Sequence, residues 1–227
     1  MSHFSVHDPI QGRPDLVKKY REKLASMPPQ NGPDFILEGN PDSPTYPTRA
    51  ALDELIQLPE YADTLKSYPN DLVKVKQKQN NVEFAGMVES VDQSLGTLVS
   101  KLEELGIDDN TIIFFFSDNG GMGVMNGTPQ WVIKKELADK VVSTSNLPLR
   151  GAKGWLYEGG IREPLIVKWP QKGKKGTVCN EPVMSTDFYP TILEMIGEKG
   201  KIGDIDGKSI APLVSGKKMD RGPIYWH

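Results

Sequence analysis

Val88, Val91, Leu95, Leu98, Leu102 and Leu105 recur at intervals of 3, 4, 3, 4 and 3 residues, and Gly106 follows at once. That spacing puts six apolar side chains on one face of a helix over 82–105, with glycine as its stop. The heptads are too few for a coiled-coil seam, because Asp-Asn turn chemistry at 108–110 leads straight into Thr-Ile-Ile-Phe-Phe-Phe at 111–116. The apolar run, with its β-branched start, predicts a strand covered on both faces. A long amphipathic helix feeding a buried strand needs a layered partner, so it points to an α/β sheet rather than a bundle.

The remaining elements are shorter. Pro14 near a first turn, with Leu16, Val17, Tyr20 and Leu24 on one side, predicts a helix over 14–25. Residues 26–47 are rich in Pro, Gly, Asn and Asp and read as a long irregular segment on the substrate side. A short helix is expected around Ala50–Ile56 and another at 130–141 within an otherwise irregular 122–150. Glu-Pro-Leu-Ile-Val-Lys-Trp-Pro at 163–170 predicts a second buried strand ended by Pro170. Ser185, Thr186 and Asp187 are competent caps for a helix over 185–197, and 222–227 reads as a last strand. There is no internal repeat. Helix–strand alternation predicts a mainly parallel sheet flanked by helices.

Composition narrows the function classes. The 227 residues are 37% apolar and 25% charged with a net charge of −3, ordinary values for a globular protein. No basic stripe with interleaved aromatics is present, so a nucleic-acid partner is not expected. No run of eighteen apolar residues predicts a membrane span. The start, Met-Ser-His-Phe-Ser-Val-His, has no basic region, apolar run or cleavage site of a signal peptide. Cys179 is the only cysteine, so an intrachain disulfide is excluded, and His3, His7 and His227 are not at zinc-like spacing.

Three stretches carry candidate chemistry. Asp118 and Asn119 end the apolar strand and precede Gly120 and Gly121. A carboxylate and an amide carbonyl are hard oxygen ligands for Ca²⁺ or Mg²⁺, and ligands of α/β sheets gather at the carboxyl ends of strands. Asp-Asn-Gly-Gly is also good turn chemistry, the commoner use of these residues. Lys153, between Ala152 and Gly154, could reach an oxyanion from a small-residue loop or simply face solvent, and Glu158, Arg162 and Glu163 offer an ion-pair cluster to hold that loop. His7 could donate to an anion or bond a carbonyl. Hard-cation ligands, a lysine and a histidine together suit a tetrahedral oxyanion such as sulfate or phosphate.

Three blocks, Phe-Ala-Gly-Met-Val-Glu-Ser through Ser-Asp-Asn-Gly-Gly (84–121), 149–170 and 185–197, appear in that order, and together the chain from about His3 to its end resembles the type I sulfatase family of the alkaline-phosphatase-like superfamily. The resemblance implies a partial alkaline-phosphatase-like fold, with 1–170 as part of the catalytic α/β domain and 171–227 as a small C-terminal region of it. It implies that Asp118 and Asn119 supply ligands to a catalytic divalent cation, usually Ca²⁺. It implies that Lys153 contacts the sulfate and the leaving oxygen, and that His7 contacts substrate and helps protonate the leaving group. The expected partner is a sulfated small molecule or glycan, and family members are often periplasmic or secreted.

The chain departs from the family at several positions. Such sulfatases use a formylglycine made from Cys or Ser in a C/S-x-P-S/A-x-R motif, whose hydrated aldehyde attacks sulfur. That motif is absent here, and Cys179 is followed by Asn180, Glu181 and Pro182. The family's first two Asp ligands, and a Lys and a His, also have no counterparts. The expectation is therefore a C-terminal portion of a sulfatase, inactive alone. A non-catalytic anion-binding module and a phosphoryl or phosphonate hydrolase are the alternatives.

Overall fold

The computed structural model describes residues 1–39, 47–58, 64–65, 72–124, 133–134, 142–198, 200 and 203–225. In chain order its elements are α1 (Pro14–Ser26), β1 (Phe35–Glu38), α2 (Arg49–Leu55), β2 (Thr64–Leu65), β3 (Val73–Lys76), α3 (Val82–Glu104), β4 (Ile113–Phe116), β5 (Ile133–Lys134), α4 (Glu158–Ile161), β6 (Leu165–Lys168), α5 (Phe188–Met195) and α6 (Ala211–Val214). Single 3₁₀ turns lie at Asp108–Asn110 and Ser185–Asp187. Among the described residues no helix is long and apolar enough to cross a membrane. The chain divides into two compact units, residues 1–98 with 117–163, and residues 99–116 with 164–227.

In the first unit, β1 and β3 pair antiparallel, from Phe35 opposite Lys76 to Glu38 opposite Val73. Val75 also bridges Val124. Leu37, Leu52 and Leu72 form one buried cluster with Leu55 and Ile56 against it. Val75, Val124 and Ala152 form a second, joined by Ile36, Val73 and Trp155. Asn81 caps α3, its Oδ1 accepting the Phe84 N–H at 3.1 Å. The helix α1 packs by Leu16 and Val17, and Gly12 just before it lets the backbone close on α3, since a Cβ there would sit 2.7 Å from Glu83 O. Lys19 Nζ donates to both Glu89 oxygens at 2.8 Å across the pair.

The predicted apolar face of α3 is only partly covered. Gly86 and Met87 are its buried residues, Val91, Leu95, Leu98 and Leu102 are half-buried, and Val88 and Leu105 are exposed. Gly86 lies on the side that meets Leu16 and Val17 of α1, so there the neighbour rather than the apolar period decides which residue loses water.

In the second unit, β4 and β6 pair antiparallel, with Ile113 opposite Lys168 and Phe116 opposite Leu165. Phe114 and Val167 share one face and pack with Trp169, Met195, Ala211 and Val214. The Phe188 ring lies 5.6 Å from that of Phe114 and 4.7 Å from that of Phe116. On the other face Ile113 and Phe115 are half-buried and Ile166 is 63% exposed, so the expected cover on both faces is met on one.

Asp187 organises the end of this unit. It is wholly buried, accepting the Met184 N–H at 2.9 Å, the Lys208 N–H at 2.8 Å and the guanidinium of Arg221. Thr191 Oγ1 donates to Asp187 O at 2.6 Å and accepts the Ile210 N–H at 2.8 Å. The segment 207–221 is thereby tied to the start of α5.

Helices and strands mix as an α/β chain should, but the described ladders correct the parallel expectation. All three, including the two-residue β2–β5 pair, are antiparallel. Parallel neighbours need a crossover helix, and between β4 and β6 the only helix among the described residues is the single turn of α4. Other corrections are local. A strand, β1, interrupts the stretch read as irregular. Of the helix expected at 130–141, only 133–134 are described, and they are strand. Residues 222–225 form no strand, and 226–227 lie outside the described residues.

Candidate functional site: two loops joined at one carbonyl

Two residues past the end of β4, the chain passes through Asp118 and Asn119 into Gly120–Val124, which is laid against β3. Lys76 N–H donates to Gly123 O at 2.8 Å, and the Val75–Val124 bridge follows. The loop bearing Lys153 is fastened to this strip. Gly120 N–H donates to Gly160 O at 3.2 Å, and Lys153 N–H donates to Gly121 O at 3.1 Å. Asn146 Nδ2 donates to the same Gly121 O at 2.9 Å and to Gly151 O at 3.3 Å. One carbonyl therefore joins the two motifs singled out in the sequence.

Small residues make that approach possible. A Cβ on Gly120 would lie 2.0 Å from Gly159 O, closer than any real Cβ contact. Further along, the Arg150 guanidinium sits 4.3 Å from the centre of the Tyr157 ring and donates to Glu38 Oε2 at 3.1 Å, tying the lysine loop back to β1.

Asp118 is exposed and Asn119 half-buried. Asn119 spends its Nδ2 on Gly120 O at 3.1 Å, and among the described residues no donor meets its Oδ1. Lys153 is half-buried beside them through its backbone bond. His7 is exposed, with its Nδ1 3.4 Å from Asp8 O and its ring 5.3 Å from that of Phe4. No described contact brings His7 to the two loops. The expected ion-pair cluster reduces to Arg162 Nη1 on Glu158 Oε2 at 3.0 Å, and Glu163 is not part of it.

Glu163 is the residue the motif reading misplaced. Its Oε1 is shut off from solvent with no hydrogen-bond partner among the described residues. Burial first, and then the charge of Asp118, push its carboxyl above the ordinary glutamate value. A raised native pKa means the folded chain holds this proton more tightly than the unfolded chain does. That stabilisation is complete below the ordinary carboxylate range and is lost as pH rises through the raised value. Glu163→Gln cannot ionise, so in metal-free buffer its thermal midpoint should gain on wild type as pH rises from about 4 to about 7. Two parallel curves would show that Glu163 carries no such shift.

The donor set suits a hard cation. Two carboxylates lie close enough to repel, and among the described residues one holds an orphaned buried oxygen and the Asn119 amide oxygen meets no donor. The set is incomplete: among the described residues no three His, Cys, Asp or Glu side chains gather as a metal site.

The family model for sulfatases matches residues 6–198. The chain belongs to the sulfatase family. Members of this family generally use a divalent metal. A sulfatase of Formosa agariphila is 35% identical over 166 residues, covering 66% of this chain and 27% of the relative. The N-acetylgalactosamine-6-sulfatase of Mus musculus is 33% identical, covering 63% of this chain and 25% of that one. Among solved structures, Ps i-CgsB is 32% identical, covers 61% of this chain and 27% of its own, and superposes with a TM-score of 0.49. The chain thus spans between 20% and 27% of the length of the first of its curated relatives.

Proposed function

We propose that this chain supplies one side of a sulfatase site that hydrolyses sulfate esters, the observation behind it being the Gly121 carbonyl that fastens Lys153 to the Asp118–Asn119 loop. Asp118 and Asn119 would hold the divalent cation, Ca²⁺ in preference to Mg²⁺, because oxygen donors on an irregular loop fit a flexible shell better than a strict octahedron. The bound cation would offset negative charge on the sulfuryl oxygens. Lys153 would hold the oxyanion as a point charge, and His7 would pass a proton to the leaving oxygen. Residues 1–170 belong to the catalytic α/β domain in this reading, and 171–227 form its small C-terminal region. The substrate class is a sulfated small molecule or glycan, in keeping with the N-acetylgalactosamine-6-sulfatase relative.

The nucleophile motif is not among these 227 residues, and among the described residues the cation shell is partial. The expected result of a Ca²⁺ titration by calorimetry is weak binding, of millimolar order, the range of loosely built oxygen sites. Asp118→Ala should weaken it at least about tenfold, the loss of one charged ligand being worth more than about 1.4 kcal/mol. The purified chain should release no product from an aryl sulfate. Unchanged Ca²⁺ binding in Asp118→Ala, or turnover by the chain alone, would sink the proposal.

A further inference from the structure

We infer that Asn146 is a positioning residue, setting the distance between the Lys153 loop and the Asp118–Asn119 loop; the inference rests on the site proposed above. Asn146 contacts neither candidate group directly. Its amide nitrogen lies between two carbonyls, Gly121 O at 2.9 Å and Gly151 O at 3.3 Å, one on each loop. Gly121 O also receives the Lys153 N–H at 3.1 Å, so the backbone of Lys153 and the amide of Asn146 share one acceptor. The space around the amide is tight. A Cβ on Gly121 would lie 2.7 Å from Asn146 Oδ1, and one on Gly123 would lie 3.3 Å from Asn146 Nδ2.

Asn146 is itself held from behind. Gln79 Nε2 donates to Ser145 O, and Thr144 Oγ1 donates to Gln79 Oε1 at 2.8 Å. Ser143, Thr144 and Ser145 are buried, and Ser143 N–H donates to Met122 O at 3.1 Å. Gln79 lies two residues before the Asn81 cap, so the amide is placed from the start of α3. Two donors at a fixed point, meeting one acceptor on each loop, hold a distance that neither loop holds by itself. An aspartate has the same shape but no N–H, and it would face both carbonyls with oxygen.

The experiment is amide hydrogen exchange by NMR on the full chain, wild type against Asn146→Asp and Asn146→Ala, in metal-free buffer and then with Ca²⁺. In wild type the Asn146 side-chain amide protons should be protected, a reading that needs no variant. In both variants the Lys153 N–H should exchange at least about tenfold faster, because the loop that carries it is no longer held against the Gly121 carbonyl by the Asn146 amide. The Val73–Lys76 amides should be unchanged. Ca²⁺ should shift the Asn119 and Lys153 cross-peaks together in wild type, and Asn119 alone in the variants. An unprotected Asn146 amide, an unmoved Lys153 rate, or faster exchange throughout the β1–β3 ladder would each overturn the inference. A wild-type chain that shows the protected amide and the Lys153 effect but no Ca²⁺ response would retain the inference and overturn the site proposal.

Discussion

Replacing Asp187 by alanine should cost the second unit about 3–5 kcal/mol, the usual loss when one member of a buried charge pair is removed. Arg221 is left with a side chain 14% exposed and no counter-charge from its partner. The Met184 and Lys208 N–H groups lose their acceptor as well. Chemical denaturation should show an early loss of the Trp169 environment, because Trp169 packs in the same unit with Met195 and Ala211. A double-mutant cycle with Arg221→Met divides the effect. If the pair is its main source, the second substitution should cost little once Asp187 is gone. A loss under about 1 kcal/mol in Asp187→Ala would mean that water replaces the carboxylate and that 207–221 is held by other contacts.

Gly120→Ala should be among the most damaging single methyls in the first unit. Its Cβ would fall 2.0 Å from Gly159 O and 2.8 Å from Gly160 Cα, both backbone atoms that cannot rotate away. The expected destabilisation is about 3 kcal/mol, at the upper end for overpacking, with the Gly120–Gly160 bond broken and Ca²⁺ binding lost. Gly96→Ala is the matched control. It lies inside α3 with nothing within 4 Å of the new methyl, so it should be neutral or stabilise by up to about 1 kcal/mol. Thermal melts of the two variants side by side would decide it, and equal midpoints would refute the close-contact argument.

The elements that sequence made plain are those whose cause is local. The helix α3 follows from a 3.6-residue period and a glycine stop, and β4 from six consecutive apolar or β-branched residues. The strands β1 and β3 were not legible, because their pairing joins residues about forty apart, and because Lys74 and Lys76, which look like surface residues, are buried. Strand direction was misread for the same reason: nothing within a four-residue run says which way its neighbour points. In the site, Asp118, Asn119 and Lys153 stood out through their glycine-rich settings. Asn146 did not, because its two bonds to carbonyls across a loop leave no periodicity behind. Glu163 stood out only as one charge among three, and its isolation from Arg162 comes from burial.

The bond from Ser143 N–H to Met122 O joins the strip that carries Gly121 to the buried Ser143–Thr144–Ser145 run that leads into Asn146. Lys76 N–H holds Gly123 O on the same strip, so β3 and Asn146 grip one short piece of backbone. A substitution that loosens β3 should therefore be felt at the Lys153 amide, which depends on that same piece.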